Sequence, residues 1–335
     1  MRTIAFFNNK GGVGKTSLVY HLAWMFSDRG IKTLAVDLDP QANLSSMFLD
    51  EERLAQMWND GEKSSIFDSL EPLMNRTGDI LPSTHVERMN EYLGLIPGNL
   101  ALSRFEDLLS ENWPKCLDGD VAAFRVITAF HRIILSASEQ ISAEIVLIDV
   151  GPNLGAINRS ALIAAKQVVI PLAPDMFSLQ GLKNFGPSLR DWRKGWKKRL
   201  DELPENVGIS APSGAMQPAG YVVMQHSIRE SRPVKAYQQW LDRIPSVYRD
   251  CVLAETGANP PAVQNDPYNL ALLKHYRSLM PMAMEAHKPI FSLKSADGAI
   301  GAHQDAVRNC YLDFQKLAAK IAANAGIAFP KNDNG

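Results

Sequence analysis

Residues 6–22 read FFNNKGGVGKTSLVYHL, and the parsing of this stretch decides the rest of the chain. An apolar run, Thr3–Asn8, precedes three glycines, Gly11, Gly12 and Gly14, and an amphipathic segment follows them. The run shows no alternation, which predicts a short strand buried on both faces, as in a parallel sheet. Leu18, Leu22 and Met25 share one face of a helix expected from about Lys15 to Asp28, and Gly30 ends it. Lys32–Asp37 (KTLAVD) is a second buried strand. Strand, glycine loop, helix and strand make one βαβ unit, with the loop at a helix amino terminus.

A loop in that place suits phosphate. Gly11, Gly12 and Gly14, with Val13 between them, let successive N–H groups face one anion, and the helix dipole adds to the attraction. Lys15 brings a point charge to the β and γ phosphates, Thr16 offers a hydroxyl to Mg²⁺, and Ser17 adds a donor. The standard pattern G-x-x-x-x-G-K-[ST] has a glycine five residues before Gly14; this chain has Asn9 there. It also carries an extra lysine, Lys10, directly before the double glycine.

Acidic residues follow at strand ends. The second strand closes as VDLDPQANL, with Asp37 and Asp39 two apart before the turn at Pro40. One carboxylate can face Mg²⁺ or its water shell while the other reaches toward the γ-phosphate and an attacking water; helix capping is the plainer alternative. EIVLID, residues 144–149, supplies Asp149 as the acidic end of a Walker B element that orders water on the metal. Gly151 and Pro152 then form a loop placed to sense the γ-phosphate.

Further strands are expected at Tyr92–Ile96, Gln167–Pro171 and Gly220–Met224. Helices are expected near Ser103–Asn112, Val121–Gln140, Asn158–Ala165, Leu179–Asp201 and Ala302–Ala323. Leu203–Pro218, rich in Pro, Gly and Ser, reads as a loop. The expected architecture is α/β: three layers, α-β-α, around a mostly parallel twisted sheet. Residues 1–330 are expected to form one nucleotide-binding domain with a helical segment around 100–140, followed by a frayed polar tail, Lys331–Gly335.

The totals narrow the function. With 335 residues, 46% hydrophobic and 21% charged, the chain has ample core. A net charge of −1 gives no bulk attraction to nucleic acid, so any such surface must be local. Cys116, Cys251 and Cys310 stand far apart, which argues against a disulfide framework and suits a reducing, cytoplasmic setting. No secretory signal and no apolar stretch of about 20 residues is visible. The histidines, His21 and His131 among them, show no metal-ligand spacing and read as packing or surface residues.

KGGVGKTS, VDLDPQAN, IVLIDVGPNLG and VVIPLAPDMFSLQGL together resemble the deviant-Walker phosphate-loop ATPases of the ParA/MinD family, closest to the ParA/Soj branch. SIFDSL (Ser65–Leu70), LIPGNLALSRFE (Leu95–Glu106) and HKPIF (His287–Phe291) fall in the order that branch shows, so the resemblance spans nearly the whole chain. It implies a weak ATPase that dimerises around ATP and Mg²⁺. Lys10 would be the signature lysine, reaching across the homodimer to the partner's phosphates as an arginine finger does. By the same resemblance Lys15 and Asp39 join Lys10 in catalysis, Asp39 positioning or activating the water. Thr16, Asp37 and Asp149 would form the metal shell, the carboxylates through water. One departure stands out: the family's switch loop usually has two prolines, and here Gly151 precedes Pro152. The helix-turn-helix domain of larger plasmid members is not in this sequence, so operator-specific autorepression is not expected.

LRDWRKGWKKRLDE, residues 189–202, is the best segment for DNA. On a helix, Leu182, Leu189, Trp192, Trp196 and Leu200 make an apolar stripe. Arg190, Arg193, Lys194, Lys197 and Lys198 lie mainly opposite, and Arg199 completes the cluster. Such a face attracts phosphates without reading bases, although it also describes an ordinary amphipathic helix. Arg229, Arg232 and Lys235 would extend it. The resemblance implies ATP-dependent non-specific DNA binding, hence nucleoid association, and a ParB-like partner that stimulates hydrolysis. The alternative is a regulatory or protein-cargo positioning switch without a DNA-segregation role. Membrane attachment is not expected, because the stripe Tyr311, Phe314, Leu317 and Ile321 is narrow and Ala-rich. An iron–sulfur role is excluded by the lack of a cysteine after Asp149 in the switch loop.

Overall fold

The computed structural model describes residues 1–59, 63–225, 234–255, 257, 259–274, 276 and 279–330. Eight strands form one sheet: β1 (Arg2–Phe6), β2 (Thr33–Asp37), β3 (Glu87–Arg88), β4 (Leu93–Ile96), β5 (Ile145–Asp149), β6 (Gln167–Leu172), β7 (Gln217–Gln225) and β8 (Asn269–Lys274). Their order is β3-β4-β2-β5-β1-β6-β7-β8, parallel throughout except for the short β3 against β4. The chain leaves β1 toward one edge through β2 and β4, returns at β5, and crosses to the other edge through β6. That reversal beside β1 opens a crevice at the carboxyl ends of the strands, where open α/β sheets take their ligands.

Both faces are covered, which is why the central strands are apolar without alternation. Ile4, Phe6, Ala35, Leu95, Ile145 and Leu147 face one cluster, while Ala5, Phe7, Leu34, Val36, Val146 and Ile148 face the other. The first cluster is closed by helices α1 (Lys15–Asp28), α2 (Asn43–Phe48), α3 (Glu51–Asn59), and, from the far end of the chain, two that are numbered below. The second is closed by α4 (Ile66–Met74), α5 (Phe105–Lys115), α6 (Val121–Ile127), α7 (Ala129–Ile141), α8 (Ala156–Ala164), α9 (Met176–Asp201) and α10 (Val234–Val247). A π-helical turn, Tyr248–Leu253, extends α10. α11 (Leu279–Glu285) and α12 (Ala302–Ala325) complete the first layer, so the architecture is the expected three-layer one.

Several expectations need correction. Val121–Gln140 is not one helix: α6 and α7 meet at Thr128 with a 59° bend, and the Thr128 hydroxyl donates to the Phe124 carbonyl (2.7 Å). Back-bonding of this kind bends helices. α9 starts at Met176, three residues before the expected Leu179, because the Asp175 carboxylate caps it by accepting from the Ser178 N–H (2.8 Å). The 203–218 loop is shorter than expected, since β7 begins at Gln217. β3, β8, α2, α3, α4, α10 and α11 are additional to the sequence reading. Among the described residues no single helix is long and apolar enough to cross a membrane. Arg229, Arg232, the Lys235 side chain and Lys331–Gly335 lie outside what is described.

Candidate functional site

The glycine loop joins β1 to α1 at the crevice. Gly12 and Gly14 adopt φ of 71° and 83°, left-handed values that L side chains rarely take, so glycine is required at both. Gly14 is the N-cap of α1, so the first N–H groups of a 14-residue helix open toward the loop. The departure at Asn9 has a packing reason. A Cβ on Gly181 of α9 would lie 2.5 Å from Asn9 Oδ1 and 3.1 Å from Asn8 Oδ1, so the two asparagines press the loop against α9. Asn8 Nδ2 donates to the Pro171 carbonyl of β6 (2.6 Å), and Asn8 Oδ1 accepts the Lys10 N–H (2.9 Å).

Three carboxylates converge beside the loop. Asp37 and Asp149 are register partners at the ends of adjacent strands, β2 and β5, and Phe6 at the end of β1 pairs with Asp149 from the other side. Both carboxylates are fully buried and Asp39 is nearly so. Burial, more than any other cause, pushes Asp37 up to about 7 and Asp149 up to about 8; the charge of Asp39 adds to both shifts, and that of Asp37 adds to the shift of Asp149. Lys15 is buried among them. Desolvation lowers its pKa, and the charges of Asp149 and Asp39 oppose that shift.

The three acids are held differently. Asp37 Oδ2 accepts from both the N–H (2.8 Å) and the hydroxyl (2.7 Å) of Ser45, and Oδ1 accepts weakly from the Asp39 N–H (3.3 Å). Ser45 Oγ in turn accepts the Gly98 N–H (2.8 Å), and a Cβ on Gly98 would sit 2.8 Å from Asp37 Cγ. Asp37 is therefore locked in place from behind. Among the described residues, Asp39 Oδ1 accepts only the Gln41 N–H (3.0 Å). Neither oxygen of Asp149 has a hydrogen-bond partner of good geometry, although the Thr16 hydroxyl lies near enough to lower its pKa. A buried carboxylate with two unpartnered oxygens beside a threonine hydroxyl fits a hydrated cation. Among the described residues no three His, Cys, Asp or Glu side chains form a metal cage of their own. The donor set thus fits Mg²⁺, which keeps its waters and takes phosphate oxygens, better than a metal held by protein alone.

The loop after β5 is clamped from inside. Asn158 of α8 donates through Nδ2 to the carbonyls of Gly151 (2.8 Å) and Asn153 (2.6 Å). Glu106 of α5 accepts the N–H groups of Ala156 (2.5 Å) and Ile157 (2.8 Å), and a Cβ on Gly155 would meet its carboxylate at 2.6 Å. Gly151 is buried, and a Cβ there would lie 3.3 Å from Asp39 Oδ1. Glycine in place of the family's first proline thus leaves room for the Asp39 carboxylate. Asn153 and Leu154 face solvent.

An apolar cavity of about 170 Å³ adjoins the glycine loop, between Gly14, Met224, Leu273, Met280, Ile290 and Phe314. Its size and lining suit a planar base next to phosphates. The carboxyl end of β7 contributes Met224 to this lining, and the loop after α11 contributes Ile290. His21 stands at its edge. Its Nδ1–H donates to the Ser17 carbonyl (2.6 Å), and its Nε2 accepts the Ile290 N–H (3.1 Å), which assigns the neutral tautomer. Burial holds its pKa down at about 4.

Lys10 lies apart from this acidic group. Its ammonium is ion-paired with Asp175 and sits 5.8 Å from the centroid of the exposed Phe177 ring. Along α9, Arg193, Lys194, Lys197 and Lys198 are exposed on one face. Two neighbours do not share it. Arg190 donates to the Cys251 carbonyl and is half-buried. Arg199, expected in the cluster, is buried instead: it stacks 3.8 Å over Trp113 and donates to the Trp113 carbonyl (2.6 Å). Ser45, Gly98, Glu106, Asn158 and Asp175 had no role in the sequence reading. Gly98, Glu106 and Asp175 lie within quoted motifs, so their motifs held the signal; Ser45 and Asn158 are set by long-range packing.

A family model described as an AAA domain matches residues 1–201. A putative replication protein A of Rhizobium rhizogenes is 32% identical over 194 residues, 55% of this chain and 43% of that protein. An uncharacterized protein of Methanocaldococcus jannaschii is 31% identical over 247 residues, 74% of this chain and 82% of the other. The chromosome-partitioning ATPase Soj of Treponema pallidum is 31% identical over 182 residues, 54% and 60% respectively. The chain therefore spans less than two thirds of several curated relatives. Two solved structures share the fold: a protein from Corynebacterium diphtheriae (TM-score 0.72, 22% identity, 97% and 98% covered) and an ATP complex of a McdA variant from Cyanothece (0.62, 15%, 99% of both).

Proposed function

The chain belongs to the ParA/MinD family of deviant-Walker ATPases, and from that premise we propose that it is a Mg²⁺-dependent ATPase whose ATP state is a DNA-binding homodimer serving partition. One observation carries the reading: Lys15, Asp39 and the unpartnered Asp149 converge beside a glycine loop that opens a helix, next to a base-sized apolar cavity. In this reading the N–H groups from Gly11 to Ser17 cradle the phosphates, Val13 included, and Lys15 neutralises the β and γ groups. Thr16 and Asp149 would hold Mg²⁺, the aspartate through water, with Asp37 locked beside them by Ser45. When bound, the ion supplies charge neutralisation on the phosphate oxygens. Asp39, free apart from one backbone contact, orients the attacking water. Gly151 and Pro152 pass the loss of the γ-phosphate to the loop.

Support for the dimer comes from the crevice surface. Leu100, Leu154, Met176 and Phe177, which follow β4, β5 and β6, are exposed there. Apolar side chains gathered around a charged site mark an association face. The exposed Arg193, Lys194, Lys197 and Lys198 support non-specific DNA binding. Arg190 contributes less, since its guanidinium is engaged. A ParB-like protein is the partner this reading calls for. Relatives carry names that support the partition reading, a ParA chromosome-partitioning protein of Myxococcus xanthus among them.

The test compares DNA binding with ATP, with ADP and without nucleotide, for wild type and for a variant with Arg193, Lys194, Lys197 and Lys198 changed to alanine. Binding that needs ATP and disappears in the variant is expected. ATP-dependent dimerisation without DNA binding in any state would make the protein a positioning switch for protein cargo. Lys15→Ala should abolish hydrolysis, and unchanged turnover would remove the phosphate-loop assignment. Asp39→Ala should hold ATP in a long-lived dimer; rapid hydrolysis in that variant would take Asp39 out of the chemistry.

A further inference from the structure

Lys10 is engaged within its own subunit. Its ammonium is paired with Asp175, and both side chains are about 30% exposed, at 29% and 31%. The backbone on each side of the pair is fixed. The Lys10 N–H is tied to Asn8, whose side chain donates to the Pro171 carbonyl, and Asn9 is packed on Gly181. Asp175 uses its other oxygen to cap α9. The contact therefore joins two rigid elements, the glycine loop and the start of α9, and only the lysine side chain is free to leave it.

We propose that Asp175 is the positioning residue of Lys10: it holds the ammonium on its own subunit until nucleotide-bound subunits meet, and so sets the nucleotide and protein concentrations at which the dimer forms. This rests on the dimer reading above. Three features of the site make the exchange workable. The pair is accessible enough to open, because partly exposed ion pairs shift an equilibrium only about 1.4- to 5-fold. The exposed Phe177 ring beside Lys10 offers the ammonium a second contact along its exit. Phosphate oxygens carry more charge than one carboxylate, so the lysine gains by transferring to them.

Asp175 also joins the two ends of the functional surface. It caps a helix of 26 residues whose carboxyl-terminal third carries Lys194, Lys197 and Lys198, roughly 30 Å away. Release of Lys10 leaves the cap intact, since a different carboxylate oxygen makes it. The latch therefore acts on the lysine and not on the helix.

Asp175→Asn separates the two roles, because asparagine caps a helix as well as aspartate but has no charge for the ammonium. Dimer fraction is measured by sedimentation against protein concentration with a non-hydrolysable ATP analogue. Two contacts open per dimer, so Asp175→Asn should tighten dimerisation roughly 2- to 25-fold while lowering the melting temperature of the nucleotide-free protein by no more than about 2 °C. In a Lys10→Ala background the same substitution should have no effect. In the nucleotide-free protein, the NMR signal of ¹³C-dimethylated Lys10 should move on Asp175→Asn and lose that dependence when the analogue is bound. Tight wild-type dimerisation with no gain in Asp175→Asn, or a Lys10 signal indifferent to Asp175, would overturn the positioning role alone. A wild type that never dimerises with nucleotide would remove the dimer reading and this inference together.

Discussion

Two glycines near the acids show how much of the site rests on missing Cβ atoms. Asp37 cannot retreat from a methyl group at position 98, because Ser45 holds its Oδ2 twice and the new Cβ would lie 2.8 Å from its Cγ. Gly98→Ala should therefore destabilise the protein by about 1–3 kcal/mol, read as a lower melting temperature, and an unchanged melting temperature would show that Asp37 is not locked. Gly151 is a different case. The contact there would be 3.3 Å, and Asp39 Oδ1 has a single partner, so the carboxylate can give by a few tenths of an ångström. Gly151→Ala should leave stability within about 1 kcal/mol of wild type and lower single-turnover hydrolysis several-fold by moving Asp39. Equal turnover with equal stability would mean that Asp39 tolerates displacement. Neither argument was available from the sequence, where Gly98 was one letter in a motif and Gly151 a departure with no partner named.

At the scale of elements, α1 is tied to the chain beyond β8 by a neutral imidazole. His21 accepts from Ile290 and donates to Ser17, and its ring stacks on Phe314 of α12 at 4.9 Å. Burial holds its pKa near 4, and His131, in α7, is held near the same value. Both bind protons more readily when unfolded, with an ordinary pKa near 6.5. Their contribution is therefore present above about pH 6.5 and is lost as pH falls toward 4. Melting temperatures should drop through that window, and His21→Phe should flatten part of the drop; an unchanged acid limb would mean that His21 charges freely in the folded state. The ends of α1 were legible because their signals are local, glycines at 14 and 30. β8 was not, because NLALLK lacks β-branched residues and becomes a strand only by pairing with β7. The face occupied by Arg199 was equally hidden, since its partner Trp113 lies 86 residues away.

Over the whole molecule, charge is distributed so that the total conceals the function. The net charge of −1 predicts no affinity for DNA, and the fold nonetheless leaves Arg193, Lys194, Lys197 and Lys198 together on one exposed helix face. The same fold buries Asp37, Asp149 and, nearly, Asp39 in the crevice, so part of the balancing negative charge is withdrawn from the surface. A polyanion approaching α9 meets the local cations and not the average. The sheet order puts both features on one body: β6 ends beside the glycine loop, and α9 runs from that end to the basic face. If these four residues account for the phosphate contacts, each engaged subunit neutralises up to four phosphates. The logarithm of affinity should then fall with the logarithm of salt with a slope of about −3.6 per subunit on duplex DNA, and about twice that for a dimer using both faces. Changing Lys197 and Lys198 to alanine should flatten the slope by about 1.8 per subunit while leaving ATP hydrolysis without DNA unchanged. A slope that does not respond to this pair would move the DNA contact off α9.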